Sequence, residues 1–455
     1  MSLVRDKKFY LHLIKISFPI AAQYLINYGV TLTDTIMVGA LGDIILSATS
    51  LANQPGFIFL TTTFGIASGA MLLISQYWGK KDIESVRDVI GIALKVSIIL
   101  SFIFSFIVLV FPYQVMRIYT SDTAIIEEGV HYLLIVGYSY FFSAISSALT
   151  ISLRGVEIVN VSVVVSGSSF FTNIIINYIL IFGHFGMPAM GISGAALGTL
   201  CSRTLEVVIL FFYLRFFDKK LYLSWRHIFC TNKALMSDYF HYGMPVILNE
   251  VLWSTGTSMY SVILGHLGSS VVAASSICTI IRQILSVFVR GISNATSVII
   301  GKAVGEGDYK LVRDYTRTLQ ICYLILGLFC SLSMFSIRDF IIQIYQISDS
   351  AKLITQQLMN VETLIIFMMA YTNPIILGVL RGGGDVRFAV RLETIGIWGI
   401  AVPAGAIAGL LLHWPAPIVY ACLRLDEIIK IVVTTIRLHG SRWIHNVTRS
   451  SANTE

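Results

Sequence analysis

Four acidic residues fall inside long apolar stretches of this sequence: Asp34, Glu206, Glu250 and Glu393. A charge at the centre of a bilayer is costly, so an acid there is a candidate for binding ions or protons. Asn173 and Asn177 are four residues apart and would share one helix face. A carboxylate with amides and hydroxyls offers oxygen ligands to a hard cation, and a carboxylate can also exchange a proton. Glu206 lies three residues after Arg203, so we expect these two to pair.

This pattern predicts an ion-coupling site in the first half of the chain. We expect Asp34, Asn173 and Asn177 to bind Na⁺ or to exchange H⁺, with Thr199 beside them. The alternative interpretation is structural. Asp34 would then cap a helix or reach the membrane interface, and the two asparagines would bond one helix to another.

Glu250 is a second ion-coupling candidate, and it could also attract a cationic substrate. The alternative is a buried ion pair with Arg282 or Arg290, which lie in the following apolar stretch. Arg282 could instead pair with Glu393. A partner arginine would neutralise the carboxylate of Glu250 and weaken the functional interpretation.

Aromatic, methionine and amide side chains could line a cleft for organic cations. Flat aromatic faces and polarisable thioethers suit promiscuous recognition of such ligands. The alternative for each residue is packing in the core or against lipid. The candidates are Tyr24, Asn27, Met37, Tyr138, Phe141, Asn249, Tyr260, Met369 and Asn373.

The elements that position these residues must be membrane-spanning helices. The chain has 56% hydrophobic and only 13% charged residues, whereas soluble domains have about 25% charged residues. Its apolar stretches also reach the roughly 20 residues that a spanning helix needs. We predict an all-α integral membrane protein with twelve transmembrane helices, at residues 13–38, 49–77, 88–112, 124–152, 158–182, 191–217, 236–264, 271–303, 314–336, 352–379, 388–411 and 416–438.

Lysine and arginine concentrate in every second loop between these spans. This pattern places both termini in the cytoplasm of a multi-pass plasma membrane protein. It also explains the net charge of +7 without nucleic acid as a partner. We expect a monomer in contact with membrane lipid and a small-molecule cationic substrate.

Several enzyme and cofactor motifs are absent from the sequence. There is no G-x-x-x-x-G-K-[ST] loop for ATP, no G-x-S-x-G and no cysteine–histidine spacing typical of a metal. We therefore expect no cofactor beyond a coupling ion, and a protein that is not an enzyme.

The two halves of the chain are related by an internal repeat with an offset of 226 residues. An even number of spans in each half makes the repeat parallel, with its axis along the membrane normal. We predict two six-helix lobes, an N-lobe at 1–217 and a C-lobe at 234–455, joined by a cytoplasmic linker at 218–233. The matched pairs include Pro19 and Pro245, Gly39 and Gly265, Asp82 and Asp308, and, with one residue added, Arg154 and Arg381.

Three segments of the sequence resemble motifs of the multidrug and toxic compound extrusion (MATE) transporters, of the bacterial NorM-like or DinF-like type. They are the segments 34–42, 173–177 and 380–385, which read DTIMVGALG, NIIIN and LRGGGD. The resemblance implies two lobes in a V shape that export organic cations or drugs in exchange for Na⁺ or H⁺. One departure concerns span ten, where NorM-like members have an acid and the stretch 368–373 here has none.

Two other functions are weighed against this one. A flippase of lipid-linked precursors, from a related fold, would need a lateral opening and a cationic cleft. An intramembrane enzyme would need a His/Asp or Ser/Lys constellation at one depth, and the sequence shows none.

Overall fold

The computed structural model describes residues 3–223, 227, 232–344 and 349–449. Every regular element within these ranges is helical. Ten of the helices are long and apolar enough to cross a membrane. The prediction of an all-α membrane protein is therefore confirmed, while part of the predicted linker 218–233 lies outside the described residues.

The first half of the chain forms helices that closely follow the predicted spans. Asp82 and Asp122 cap two of them, since their carboxylates accept hydrogen bonds from Ser85 N at 3.1 Å and Ala124 N at 3.0 Å. One short helix, α4, falls in a predicted loop and begins with Pro112 in its first turn. The helices are α1 (Lys7–Gly39), α2 (Asp43–Gly79), α3 (Ile83–Val110), α4 (Pro112–Tyr119), α5 (Thr123–Gly155), α6 (Asn160–Phe182) and α7 (Gly191–Phe212).

The second half contains more broken helices. The twelfth predicted span is interrupted near Arg424, so that two short helices replace one. Pro374 and Pro403 lie in or next to π-helical turns, because proline cannot donate the regular backbone hydrogen bond. The helices are α8 (Lys233–Gly265), α9 (Ser269–Gly305), α10 (Tyr309–Ile344), α11 (Asp349–Asn373), α12 (Val386–Thr394), α13 (Val402–Ala406), α14 (Ala416–Cys422) and α15 (Leu425–His439). The π-helical segments are Tyr213–Phe217, Pro374–Leu380, Ile395–Ala401 and Ile407–Leu411.

The described chain divides into two compact units. The first unit comprises residues 22–74 and 82–247, and the second comprises 1–21, 75–81 and 248–455. Each has its own apolar core: Phe59, Tyr140 and Ala196 belong to the first, and Met359 and Tyr420 to the second. The division into lobes at 1–217 and 234–455 follows the sequence repeat and stays a prediction.

Within the second unit, the ends of α2 and α9 touch through their backbones. A Cβ added at Gly79 would collide with the carbonyl of Lys302, and one added at Gly305 would collide with the carbonyl of Gln76. Only glycine allows so close an approach. The offset of the repeat relates Gly79 to Gly305 and Gln76 to Lys302, so each contact is the counterpart of the other.

The chain after α15 packs onto this same region of the second unit. Gln76 Nε2 donates hydrogen bonds to Gly382 O at 3.1 Å and His445 O at 3.2 Å. Val447 N donates to Gln76 Oε1 at 2.8 Å, and the Trp443 side chain is fully buried. The segment is thus fixed by one buried glutamine and one buried tryptophan.

Candidate functional site

A polar cluster in the first unit joins α1 to α6. Asn177 Nδ2 donates hydrogen bonds to Asp34 Oδ1 at 2.6 Å and to Asn173 Oδ1 at 3.3 Å. The two asparagines are buried, because their positions on α6 face the interior. The predicted proximity of these three residues is confirmed, and binding of an ion by them stays a prediction.

One amide oxygen in this cluster is left without a partner. Asn177 Oδ1 is buried and accepts no hydrogen bond within the described part of the chain. Gly198 of α7 lies directly against it, because a Cβ there would collide with that oxygen. A buried acceptor is normally satisfied, so Asn177 Oδ1 is available to a ligand that carries positive charge.

The contact with Gly198 gives a first testable prediction. In Gly198→Ala the methyl group would displace the Asn177 side chain and break its hydrogen bond to Asp34, at a cost of about 1–3 kcal/mol. We expect a lower melting temperature and a smaller stabilisation of the protein by its coupling cation, both measured by thermal unfolding of purified protein.

The matched control is Gly167→Ala on α6, where an added Cβ has nothing within 4 Å. This substitution should leave both quantities unchanged or slightly raise the stability. Equal stabilisation of wild type and Gly198→Ala by the cation would contradict the prediction that the contact between Gly198 and Asn177 supports cation binding.

An ion pair lies beside the cluster and confirms a predicted contact. Arg203 Nη1 is 2.6 Å from Glu206 Oε1, and Ser146 Oγ donates to Glu206 Oε2 at 2.6 Å. Arg203 is also close enough to act electrostatically on Asp34. When both acids are ionised, Asp34 and Glu206 carry two negative charges against the one positive charge of Arg203, which leaves one negative charge in excess.

Tyr132, a residue that the sequence analysis did not select, lies near both Asp34 and Thr199. Its buried hydroxyl donates a hydrogen bond to Asn53 Oδ1 at 3.1 Å. The role of Thr199 at an ion site stays a prediction. Asn53 could have been found as an isolated amide in an apolar stretch, whereas Tyr132 has no such signal.

Glu250 is paired with Arg381, an arginine that the sequence analysis did not propose as its partner. Arg381 Nη1 lies 2.9 Å from Glu250 Oε1, and its Nη2 lies 3.4 Å from Glu393 Oε2. Asn249 Nδ2 donates a further hydrogen bond to Glu393. All four side chains are buried. One guanidinium therefore serves two carboxylates in the second unit.

The predicted pairing of Glu250 with Arg282 is corrected by this geometry, because Arg282 Nε lies 3.2 Å from Glu362 Oε1. Arg290 acts electrostatically on Glu250, and a direct pairing of these two residues stays a prediction. The alternative pairing of Arg282 with Glu393 is likewise wrong. The physical reason is packing: Arg381 comes from the end of the π-helical segment after α11 and is brought against α8.

The first unit contains the repeat-related arginine, Arg154, in contact with Gln23 and Tyr24. Arg154 Nη2 donates to Gln23 Oε1 at 2.6 Å, and its guanidinium carbon lies 5.6 Å from the centre of the Tyr24 ring. The repeat offset relates Gln23 to Asn249 and Tyr24 to Glu250. The repeat-related arginines thus both reach the same helix position, Tyr24 in the first half and Glu250 in the second.

The count of four intramembrane acids was incomplete. Glu362 lies in the predicted tenth span and accepts a hydrogen bond from Tyr420 Oη at 2.6 Å. Asp426 and Glu427 lie in the twelfth predicted span and contact Lys430. These acids were visible in the sequence, within the ranges assigned to those spans.

The predicted cleft residues lie in different surroundings. Asn249 and Tyr260 are buried, and the Arg424 guanidinium carbon lies 4.9 Å from the centre of the Tyr260 ring. Both are covered by neighbouring side chains, and their role in lining a cleft stays a prediction. The lining role of the remaining residues stays a prediction: Asn27 and Tyr138 are exposed, and Tyr24, Met37, Phe141, Met369 and Asn373 are partly buried.

Comparison with known families gives an independent result. A family model described as MatE matches residues 19–179 and 245–407. The two matches begin at Pro19 and Pro245, a pair already related by the repeat. They cover well over half of the chain.

Curated relatives are similar over most of their length. An uncharacterized transporter, YisQ, of Bacillus subtilis is 22% identical over 96% of each chain. A probable multidrug resistance protein NorM of Agrobacterium fabrum is 23% identical over 88% of this chain and 85% of its own.

Solved structures share the fold. A point mutant of the Vibrio cholerae MATE transporter VcmN superposes with a TM-score of 0.87 at 14% identity, over 96% of this chain and 98% of its own. A MOP superfamily transporter from Pyrococcus furiosus gives a TM-score of 0.82 at 19% identity, over 95% and 96%.

Proposed function

The chain belongs to the MatE family of multi-pass membrane transporters, and on this premise we propose that it is a secondary active antiporter. It exports organic cations or drugs in exchange for Na⁺ or H⁺ by alternating access. Its relatives named as multidrug resistance proteins support the substrate class. In this proposal the protein is a monomer of the plasma membrane with both termini in the cytoplasm.

The charge balance around Asp34 is the observation that carries the proposal. Glu206 neutralises Arg203 at 2.6 Å, so the carboxylate of Asp34 is not compensated by an ion pair of its own. A monovalent cation would balance this one negative charge. Without it, the partly buried charge of Asp34 would be costly in an apolar surrounding.

The oxygen atoms around Asp34 suit such an ion. The carboxylate of Asp34, the free Oδ1 of Asn177 and the amide oxygen of Asn173 supply hard ligands of the kind that Na⁺ binds. A proton on Asp34 would balance the charge equally well. In this proposal Thr199, which lies near Tyr132, supplies a further hydroxyl.

Glu250 is a less direct participant in this proposal. Its carboxylate contacts Arg381 at 2.9 Å, so an ion or a cationic substrate would have to compete with a guanidinium. We assign ion coupling first to the Asp34 cluster. Glu250 is assigned the role of a site that becomes available when its contact with Arg381 is broken.

The proposal is tested by transport in proteoliposomes that contain the purified full chain. Ethidium, a fluorescent organic cation, is followed while a Na⁺ gradient or a pH gradient of equal size is imposed. We expect one of the two gradients to drive uphill movement of ethidium, and collapse of that gradient with an ionophore to stop it.

The same preparation distinguishes the flippase alternative. If neither gradient moves ethidium while a fluorescent lipid-linked phosphate crosses the bilayer faster than in protein-free liposomes, the antiporter proposal is wrong. Movement of ethidium with equal speed in the absence of any gradient would also contradict coupling.

A further inference from the structure

A second charged cluster, on α15 in the second unit, has no part in the proposed ion site. Lys430 Nζ lies 2.6 Å from Asp426 Oδ2 and 3.1 Å from Glu427 Oε1. The three side chains are only 5%, 2% and 4% exposed. One ammonium group therefore serves two buried carboxylates within a single helical turn.

The two carboxylates of this cluster are not equivalent. Glu427 Oε2 accepts a hydrogen bond from Thr372 Oγ1 at 2.6 Å, so both of its oxygens have partners. Asp426 uses Oδ2 for Lys430, while its Oδ1 is buried and has no partner within the described part of the chain. Buried carboxylate oxygens are rarely left in this state.

Charged and polar groups on the neighbouring elements also act on this cluster. Arg424 acts on Asp426 and on Glu362, and Glu362 is itself paired with Arg282 at 3.2 Å. Glu393, from α12, acts on Lys430 and adds a further negative charge. From α8, Tyr260 contributes a neutral hydroxyl near Asp426.

The backbone of the neighbouring segment comes unusually close to this cluster. A Cβ added at Gly396, in the π-helical segment Ile395–Ala401, would lie 3.2 Å from Asp426 Cβ and 3.1 Å from Lys430 Cε. π-Helical turns inside longer helices frequently mark functional sites. Glycine here lets the helix pack directly over the charged groups.

We propose that Asp426 binds and releases a proton at Oδ1, which makes the Asp426–Glu427–Lys430 cluster a second cation-exchange site. Binding forms an O–H bond with a proton taken from water and turns the carboxylate into a neutral carboxylic acid. Release returns the proton to water. The ammonium of Lys430 already occupies the position that a metal ion would take at Oδ2, which leaves a proton as the fitting ligand.

The site is distinct from Asp34, and its protonation does not depend on the proposed transport function. Only its contribution to the transport cycle rests on that function. The test therefore measures the protonation state of the Asp426 carboxyl group directly. Infrared difference spectra of the purified full chain are recorded as the pH is changed, and the C=O stretching band of protonated carboxylic acids is followed.

We expect Asp426→Asn to lose one component of this band. The matched control is Asp385→Asn, since Asp385 is a buried aspartate paired one to one with Arg437 at 2.7 Å, and it should keep the component. If Asp426→Asn does not fold, Asp426→Glu serves in its place, because a glutamic acid should shift the component in frequency without removing it.

Two results would overturn the proposal. One is an unchanged carboxylic-acid band in Asp426→Asn, or an unshifted one in Asp426→Glu. The other is loss of the wild-type component when NaCl replaces choline chloride at constant pH, which would identify a Na⁺ site. Ethidium transport by wild type, measured separately, reports on the antiporter proposal whatever the infrared outcome.

Discussion

The Asp34→Asn variant is expected to fold normally and to lose gradient-driven export of organic cations. Asparagine has the same shape as aspartate, and its amide oxygen can still accept the hydrogen bond that Asn177 Nδ2 now donates to Asp34 Oδ1 at 2.6 Å. The negative charge is lost, however. With Glu206 bound to Arg203, the site would then have no uncompensated charge to attract a cation.

The size of the effect follows from the loss of one charged ligand. An interaction with a charged group contributes about 1.5–3 kcal/mol, which corresponds to roughly a 10- to 100-fold weaker affinity for the coupling ion. We expect the initial rate of ethidium movement under the driving gradient to fall by a factor in this range. Rates in proteoliposomes and melting temperatures of the purified variant are measured together.

The control for this experiment is Asp43→Asn. Asp43 is an exposed acid in the first turn of α2, close in sequence to Asp34 but outside the cluster. It should transport at the wild-type rate. If Asp34→Asn were to pump as fast as Asp43→Asn, the assignment of ion coupling to Asp34 would be wrong.

Replacement of Arg381 by methionine is expected to cause the largest loss of stability. Arg381 is buried between Glu250 and Glu393, at 2.9 Å and 3.4 Å. Methionine would leave two carboxylates without their cation in an apolar surrounding. Breaking a buried ion pair by removal of one partner costs about 3–5 kcal/mol, and we expect a correspondingly lower melting temperature.

The triple variant Arg381→Met, Glu250→Gln and Glu393→Gln shows whether the loss has this cause. With both acids neutral, the penalty for uncompensated charge disappears, and most of the stability should return. Arg391→Met is the control, because Arg391 is an exposed arginine on the same helix as Glu393. If the triple variant were as unstable as Arg381→Met, lost packing and not charge would explain the effect.

The Asp34 cluster could be predicted from the sequence because its signals are local. Asn173 and Asn177 are four residues apart, and helical geometry alone places them on one face. Asp34 is an isolated acid in an apolar stretch of the same half. Few other polar side chains in this half were available to Asp34, so its contact with the two asparagines could be predicted.

The partner of Glu250 could not be found in the same way. Arg381 is 131 residues further along the chain, and it lies beyond a π-helical segment that rotates the side chains after Pro374 relative to a regular helix. The sequence analysis considered Arg282 and Arg290 because they lie in the next apolar stretch. The repeat relates Arg154 to Arg381 and Tyr24 to Glu250, but the contact between Arg154 and Tyr24 is itself seen only in the structure.

The helix breaks of the second half also lacked a clear signal. Proline and glycine indicate that a helix will bend, but they do not specify a π-helical turn or its length. The packing of neighbouring helices decides whether a π-helical turn forms and how long it is. The close approach of Gly396 to Asp426 and Lys430 shows how a π-helical segment and a buried charged cluster depend on each other.

The reciprocal contacts of Gly79 with Lys302 and of Gly305 with Gln76 have a consequence for the history of the chain. In a twofold dimer, a residue i of one subunit touches j of the other, and j touches i in return. The repeat makes these four positions such a set within one polypeptide. This is the pattern that duplication and fusion of the gene for a twofold dimer would leave, and in such a dimer a Cβ at this one glycine would collide with a backbone carbonyl at two places.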